Sequence, residues 1–303
     1  MTQQYASTTQ AALNGAIASH RLPGDFGVTV DQYYWPVADY LGNCRQSNMP
    51  LLVGIQGAQG SGKSTLASFL KLLLEQEFGL RVLIASIDDF YLQRKERIPL
   101  SETVHPLFIT RGVPGTHDVD LLDQFLKNVV TERSFKIPRF DKATDDRAAK
   151  AEWQHINYQP DIVILEGWCV GIRAQSTRAL KAPINQLERQ EDPDGRWRTL
   201  VNEALLGPYL TIFQRLDRMI VLQAPSFACV HDWRLLQEEK LVDQLQAEGK
   251  STGNTLSPDE VSRFISHYQR LTEHALSTLP AAADCLLRMK DDHSFAELRI
   301  NQE

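Results

Sequence analysis

The chain has 303 residues, 43% hydrophobic and 23% charged, with 17 Gly, 14 Pro and a formal net charge of −6. This balance excludes collagen-like and disordered chains, and its acidity argues against a general nucleic-acid coat or an anionic-membrane binder. Its longest apolar runs fall well under the ~18 residues of a membrane span, so neither nucleic acid nor membrane is expected as a partner.

Cys44, Cys169, Cys229 and Cys285 lie far apart with no C-x-x-C pair, which reads as reduced thiols rather than a zinc site. No cationic stretch precedes an apolar core at the N-terminus, so a cytoplasmic location is expected.

In chain order, residues 1–50 read as a mixed, mostly helical addition, and residues 51–303 as the main domain. The run Leu51-Leu-Val-Gly-Ile55 after Pro50 predicts a buried strand. Ser64 to Phe78 places Leu66, Phe69, Leu70, Leu73 and Leu74 at helical spacing, with Gly79 as the stop. Arg81 to Ala85 reads as the next strand, expected beside the first. Asp118 is a fitting N-cap for a helix to about Val130. Asp161 to Leu165 and Arg218 to Leu222 read as further apolar strands, and Asp284 to Met289 as the last. The polar stretches Glu188 to Arg198 and Gly249 to Asn254 read as exposed loops. Short apolar strands alternating with helices imply an α/β fold, three layers with a mostly parallel sheet between helices.

The segment Gly57, Ala58, Gln59, Gly60, Ser61, Gly62, Lys63, Ser64 matches G-x-x-x-x-G-K-[ST] between a strand and a helix, and Thr65 continues into that helix. The glycines let backbone N–H groups turn toward phosphate oxygens, and the helix start adds its positive dipole end. Lys63 is then expected on the β- and γ-phosphates, and the Ser64 hydroxyl on Mg²⁺. ATP and Mg²⁺ are the cofactors this implies. Switches and motors share the cradle, so other residues must decide the activity.

Asp88 and Asp89 follow the second strand, where a carboxylate can accept a hydroxyl proton and align an alcohol on the γ-phosphate; a pair of turn caps is the plainer alternative. With the P-loop, Asp88-Asp89-Phe90-Tyr91 resembles the small-molecule kinase branch of uridine kinase, phosphoribulokinase and pantothenate kinase. That resemblance implies a P-loop kinase fold and Asp88 as catalytic base. Four further motifs occur in order. They are Arg111-Gly-Val-Pro-Gly115-Thr-His117-Asp118, Ile137-Pro-Arg-Phe140-Asp141-Lys142 with Asp146-Arg147, Ile164-Leu-Glu166-Gly167-Trp168, and Trp233-Arg234-Leu-Leu-Gln237-Glu238. Together they resemble the D-glycerate 3-kinase family over residues 50–290. Phe140 stands where that family more often has Tyr, and the Asp141 to Arg147 segment is shorter than in its members.

From chemistry, Glu166 at a strand end can hold Mg²⁺ or simply cap the surface. Arg111, Lys142 and Arg147 can meet a substrate carboxylate or remain solvated. Tyr91 and Asp141 join them as substrate-side candidates. His117 can bond a substrate hydroxyl or serve the local fold. The resemblance makes the helix with Arg234 and Lys240 a lid that brings cations onto the transferring phosphate; Trp233 reads as packing. The expectation is an ATP-dependent kinase acting on a small anionic substrate, most readily D-glycerate to 3-phosphoglycerate. A nucleoside, pantothenate or a sugar phosphate is an alternative acceptor, and an ATPase or switch without an acceptor is the rival class. No N-K-x-D or Thr/Gly switch pattern supports that rival.

Overall fold

The computed structural model describes residues 3–44, 49–247 and 255–301. The N-terminal part is helical: α1 (Ser7–Ser19), α2 (Phe26–Thr29), a π-turn and α3 (Trp35–Cys44). Then come β1 (Leu51–Gly57), α4 (Lys63–Phe78), β2 (Val82–Ser86), α5 (Arg94–Thr103) and α6 (Val119–Thr131). Two small ribbons follow, β3 (Phe135–Ile137) with β6 (Gln154–Ile156) and β4 (Phe140–Asp141) with β5 (Asp146–Arg147). The chain continues through β7 (Ile162–Gly167), α7 (Gln186–Glu191), α8 (Arg196–Leu206), α9 (Pro208–Phe213), β8 (Arg218–Gln223), α10 (Phe227–Ala247) and α11 (Pro258–Ala282). It closes with β9 (Cys285–Met289) and β10 (Phe295–Ile300).

The main sheet has the order β10-β9-β8-β1-β7-β2, parallel except for β10. Every residue of β1 and β7 is buried, as continuous apolar runs require at the centre of a sheet covered on both faces. Gly79, at φ 63°, ends α4, and the Leu80 N–H donates back to the Leu74 carbonyl at 3.2 Å. Asp118 caps α6 by accepting from the Leu121 N–H at 3.0 Å. Helices α1 and α3 pack on α4, so the N-terminal part buttresses the helix that leaves the P-loop.

Three expectations are corrected. The second strand does not adjoin the first: β7 lies between them, with Glu166 in register with Ile55 on one side and Ser86 on the other. The last strand is β10, an antiparallel edge after β9 whose alternation of charges and apolar residues hid it. Glu188 to Arg198 is no exposed loop: it holds α7 and the start of α8, with Glu188, Asp192 and Arg198 buried. Those three charges are neutralised inside the protein, Arg198 on Asp192 at 2.8 Å and Arg270 of α11 on Glu188 at 2.6 Å. The stretch Gly249 to Asn254 lies outside the described residues.

Candidate active site

The carboxyl ends of β1, β7 and β2 lie side by side, the usual place for a ligand in such a sheet. From β1 the chain turns at Gly57, where an added Cβ would fall 2.4 Å from Ser61 Oγ, so the loop closes tightly only on glycine. Gly62 is the N-cap of α4 at φ 80° with no side-chain cap, which leaves the first-turn N–H groups to a ligand. Ser61 Oγ and Gln59 Oε1 are buried without a hydrogen-bond partner among the described residues. The Ser64 hydroxyl donates to Glu166 Oε1 at 3.1 Å, while Glu166 Oε2 is buried with no partner among the described residues. A hydroxyl beside a carboxylate with an unsatisfied oxygen is a hard donor set that fits Mg²⁺.

At the end of β2, Ser86 Oγ accepts from the Asp88 N–H at 3.4 Å and starts a single 3₁₀ turn, Ile87–Phe90. That turn separates the two carboxylates. Asp88 faces the cleft, where Oδ1 accepts from the Tyr91 hydroxyl at 2.8 Å and Oδ2 from Lys142 Nζ at 2.8 Å. Asp89 turns away and accepts from the Phe140 N–H at 3.0 Å, tying down the β4 ribbon. Burial pushes the Asp88 carboxyl up, but the charge and hydrogen bond of Lys142, the charge of Lys63 and the Tyr91 hydroxyl outweigh it and hold it at about 2. Burial raises Asp89 instead.

These residues line a cleft of about 500 Å³. Gln59, Gly60, Lys63 and Ser64 form one wall, and Asp88, Tyr91, Arg111, Lys142 and Trp168 another. Helices α10 and α11 close it with Arg234, Gln237, Glu238, Leu241, Phe264 and Tyr268. Arg111 pairs with Asp145 and lies 5.4 Å from the Phe140 ring centre. Arg234 pairs with Glu238 at 2.6 Å, and Glu238 also accepts from the Leu256 N–H at 2.8 Å. The Tyr268 hydroxyl donates to the Arg111 carbonyl at 3.0 Å, and the Trp168 indole N–H donates to the Gly112 carbonyl at 2.9 Å.

Thus Lys63, Ser64, Asp88, Tyr91, Arg111, Lys142 and Arg234 come together, with Glu166 directly behind Ser64. His117, Asp141 and Arg147 do not line the cleft. His117 is 3% exposed, stacks on Tyr91 at 4.5 Å and pairs through Nδ1 with the Tyr209 hydroxyl at 2.6 Å. Burial lowers its pKa to about 4. The Asp141 carboxylate caps its own turn, accepting from the Ala143 N–H and the Thr144 hydroxyl at 2.9 Å each. Arg147 braces the Tyr91 carbonyl at 2.8 Å and the Asp118 carboxylate at 3.0 Å. Trp233 packs, 4% exposed, with its ring 4.2 Å from that of His293, and Lys240 is outside the wall. Phe264 and Tyr268 were missed; their only sequence signal is the apolar stripe of a long helix, which reads as core.

The model of the phosphoribulokinase and uridine kinase family matches residues 52–177. The chain is 33% identical over 244 residues to the uncharacterised kinase mug58 of Schizosaccharomyces pombe, covering 76% of this chain and 82% of that protein. It is 28% identical over 242 residues to the chloroplastic D-glycerate 3-kinase of Arabidopsis thaliana, covering 77% of this chain but 49% of that protein. The solved D-glycerate 3-kinase of Cryptococcus neoformans superposes with a TM-score of 0.66 at 24% identity, over 97% of this chain and 99% of the other. At that identity the match speaks for the fold.

Proposed function

The chain belongs to the phosphoribulokinase and uridine kinase family and is an ATP-dependent small-molecule kinase, and we propose that its acceptor is the 3-hydroxyl of D-glycerate, converted to 3-phosphoglycerate. The observation that carries this reading is the Asp88 carboxylate, which opens on the cleft between the P-loop lysine and the cations Arg111 and Lys142. A small acid bearing a hydroxyl matches that arrangement, with its carboxylate on the cations and its hydroxyl on Asp88. The Arabidopsis relative, named for D-glycerate, supports the choice among acids.

In this reading the segment from Gly57 to Thr65 cradles the triphosphate and Lys63 answers the charge that develops on the β,γ side. Ser64 and Glu166 hold Mg²⁺, which when bound neutralises phosphate charge. Asp88 aligns the acceptor hydroxyl and takes its proton as the hydroxyl oxygen bonds to the γ-phosphorus and the bond to ADP breaks. Arg234, on α10, supplies a further cation to the transferring group. Residues 51–303 form the kinase domain, and residues 1–50 are an addition that steadies α4. The four cysteines are free, which suits a reducing compartment, and we place the enzyme in the cytoplasm.

The test is ADP release against a panel of small alcohols. D-Glycerate should raise it well above the rate with ATP alone. Stimulation by a nucleoside, pantothenate or a sugar phosphate, with none from D-glycerate, contradicts the acceptor assignment and leaves the kinase chemistry in place.

A further inference from the structure

The cations of the cleft are not equivalent. Arg111 is paired with Asp145, a carboxylate it shares with the buried Arg97 at 2.9 Å, and Arg234 is paired with Glu238. Lys142 is paired with Asp88, the base itself. Its ammonium occupies Oδ2 while the Tyr91 hydroxyl occupies Oδ1, so a charged or hydroxyl donor already sits on each oxygen. The depressed basicity of Asp88 agrees with that geometry. Lys142 is also the partner free to leave. Its side chain is 63% exposed against 26% for Asp88, and it sits on the tight turn between β4 and β5 at the end of a flexible four-carbon stem.

We propose that Lys142 is a specificity-determining residue that favours the acceptor hydroxyl over water, by occupying Asp88 until a small anionic acceptor draws the ammonium away. The proposal rests on the reading of Asp88 as base. In the unwanted reaction a water oxygen bonds to the γ-phosphorus, the bond from that phosphorus to ADP breaks, and the water proton must pass to Asp88. The products are ADP and inorganic phosphate. With the ammonium on Oδ2 and the Tyr91 hydroxyl on Oδ1, the carboxylate is a weakened acceptor for that proton. An acceptor carboxylate competes for the ammonium, and Oδ2 then opens toward the acceptor hydroxyl. Binding and base release become one event, a form of substrate-assembled site. A neutral alcohol lacks the group that draws Lys142 away, so it would bind without freeing the base.

Two readouts on the full chain test this: phosphate release with ATP alone, and transfer with D-glycerate. Lys142→Met removes the cation at an exposed position and should raise acceptor-independent hydrolysis roughly tenfold, within the usual range of general-base effects, while raising KM for D-glycerate. Lys142→Arg, which keeps a cation within reach, should bring hydrolysis back toward the wild-type rate. Adding Asp88→Asn to Lys142→Met should abolish the gain. Hydrolysis that is unchanged or lower in Lys142→Met overturns the proposal. A gain that survives in the double variant also overturns it, because Asp88 would not be the group released. The hydrolysis arm needs no acceptor, so failure of D-glycerate to react would sink the acceptor assignment alone. Asp88→Asn that retains wild-type transfer would sink the base assignment.

Discussion

The hydroxyl of Ser64 and the carboxylate of Glu166 meet at 3.1 Å although they are 102 residues apart in sequence. The first turn of α4 supplies one and the end of β7 the other, and the parallel pairing of β1 with β7 sets the distance. The second carboxylate oxygen is left buried, without a partner among the described residues.

Glu166→Gln should therefore separate metal use from folding. It removes a buried charge, so the metal-free protein should melt no lower than wild type, while the Mg²⁺ concentration for half-maximal turnover should rise roughly tenfold, as for loss of a metal-site group. Thermal melting without metal and a Mg²⁺ titration of turnover check it; an unchanged titration removes Glu166 from the metal site.

Lys63→Ala should leave the fold intact and lower kcat on the order of 10²–10³, the usual cost of losing one donor to the developing charge. Circular dichroism and turnover belong in the same experiment. Near-normal turnover would end the assignment of Lys63 to the phosphates.

Asp88 and Asp89 are adjacent but differ in what they touch, so their Asn variants should differ. Asp88→Asn should lower kcat on the order of 10²–10⁴ with ATP affinity retained, toward the lower end if Asp88 chiefly aligns the hydroxyl. Asp89→Asn weakens only the anchor on the Phe140 N–H, and a smaller loss is expected. The reverse order in steady-state kinetics would exchange the two roles.

Arg270 is 7% exposed and Glu188 1%, and their pair is a buried link between α11 and α7. Arg270→Met leaves Glu188 buried and unpaired, at a cost of about 3–5 kcal/mol in denaturant unfolding. Glu188→Gln together with Arg270→Met should recover part of it. A loss under about 1 kcal/mol would mean that water reaches this pair.

Acid should weaken the fold before it reaches the carboxylates. Burial lowers both His117 and His267 to about 4, while an unfolded histidine titrates near 6.5. Between those values the unfolded chain binds more protons, so the contribution is full above about pH 6.5 and is lost as pH falls toward 4, at about 1.4 kcal/mol per unit and group. Unfolding midpoints from pH 7 to 4.5 should show this slope, and a flat profile would contradict the neutral burial of both rings.

The parts of this molecule that were legible in sequence are those governed by local chemistry. Leu51 to Ile55 and Ile162 to Leu165 are strands because a central parallel strand is apolar throughout, and Gly57 to Ser64 turns where its glycines stand, with Gly60 and Gly62 at positive φ. The place of β7 between β1 and β2 was not legible, since apolar strands carry no label for their neighbours. Glu188, Asp192 and Arg198 looked like solvated surface because one neutralising partner, Arg270, lies 82 residues away from Glu188. His117 and Arg147 carry the residue types of a binding site, and only the packing of Tyr91, Tyr209 and Asp118 around them puts them behind the cleft wall.

Transfer of the γ-phosphate to a hydroxyl acid aligned on Asp88 can be followed with labelled γ-phosphate in the presence of D-glycerate. The label should appear in 3-phosphoglycerate in equal amount to the ADP formed, and Asp88→Asn should suppress both. Label recovered as inorganic phosphate, at a rate indifferent to D-glycerate, would contradict it.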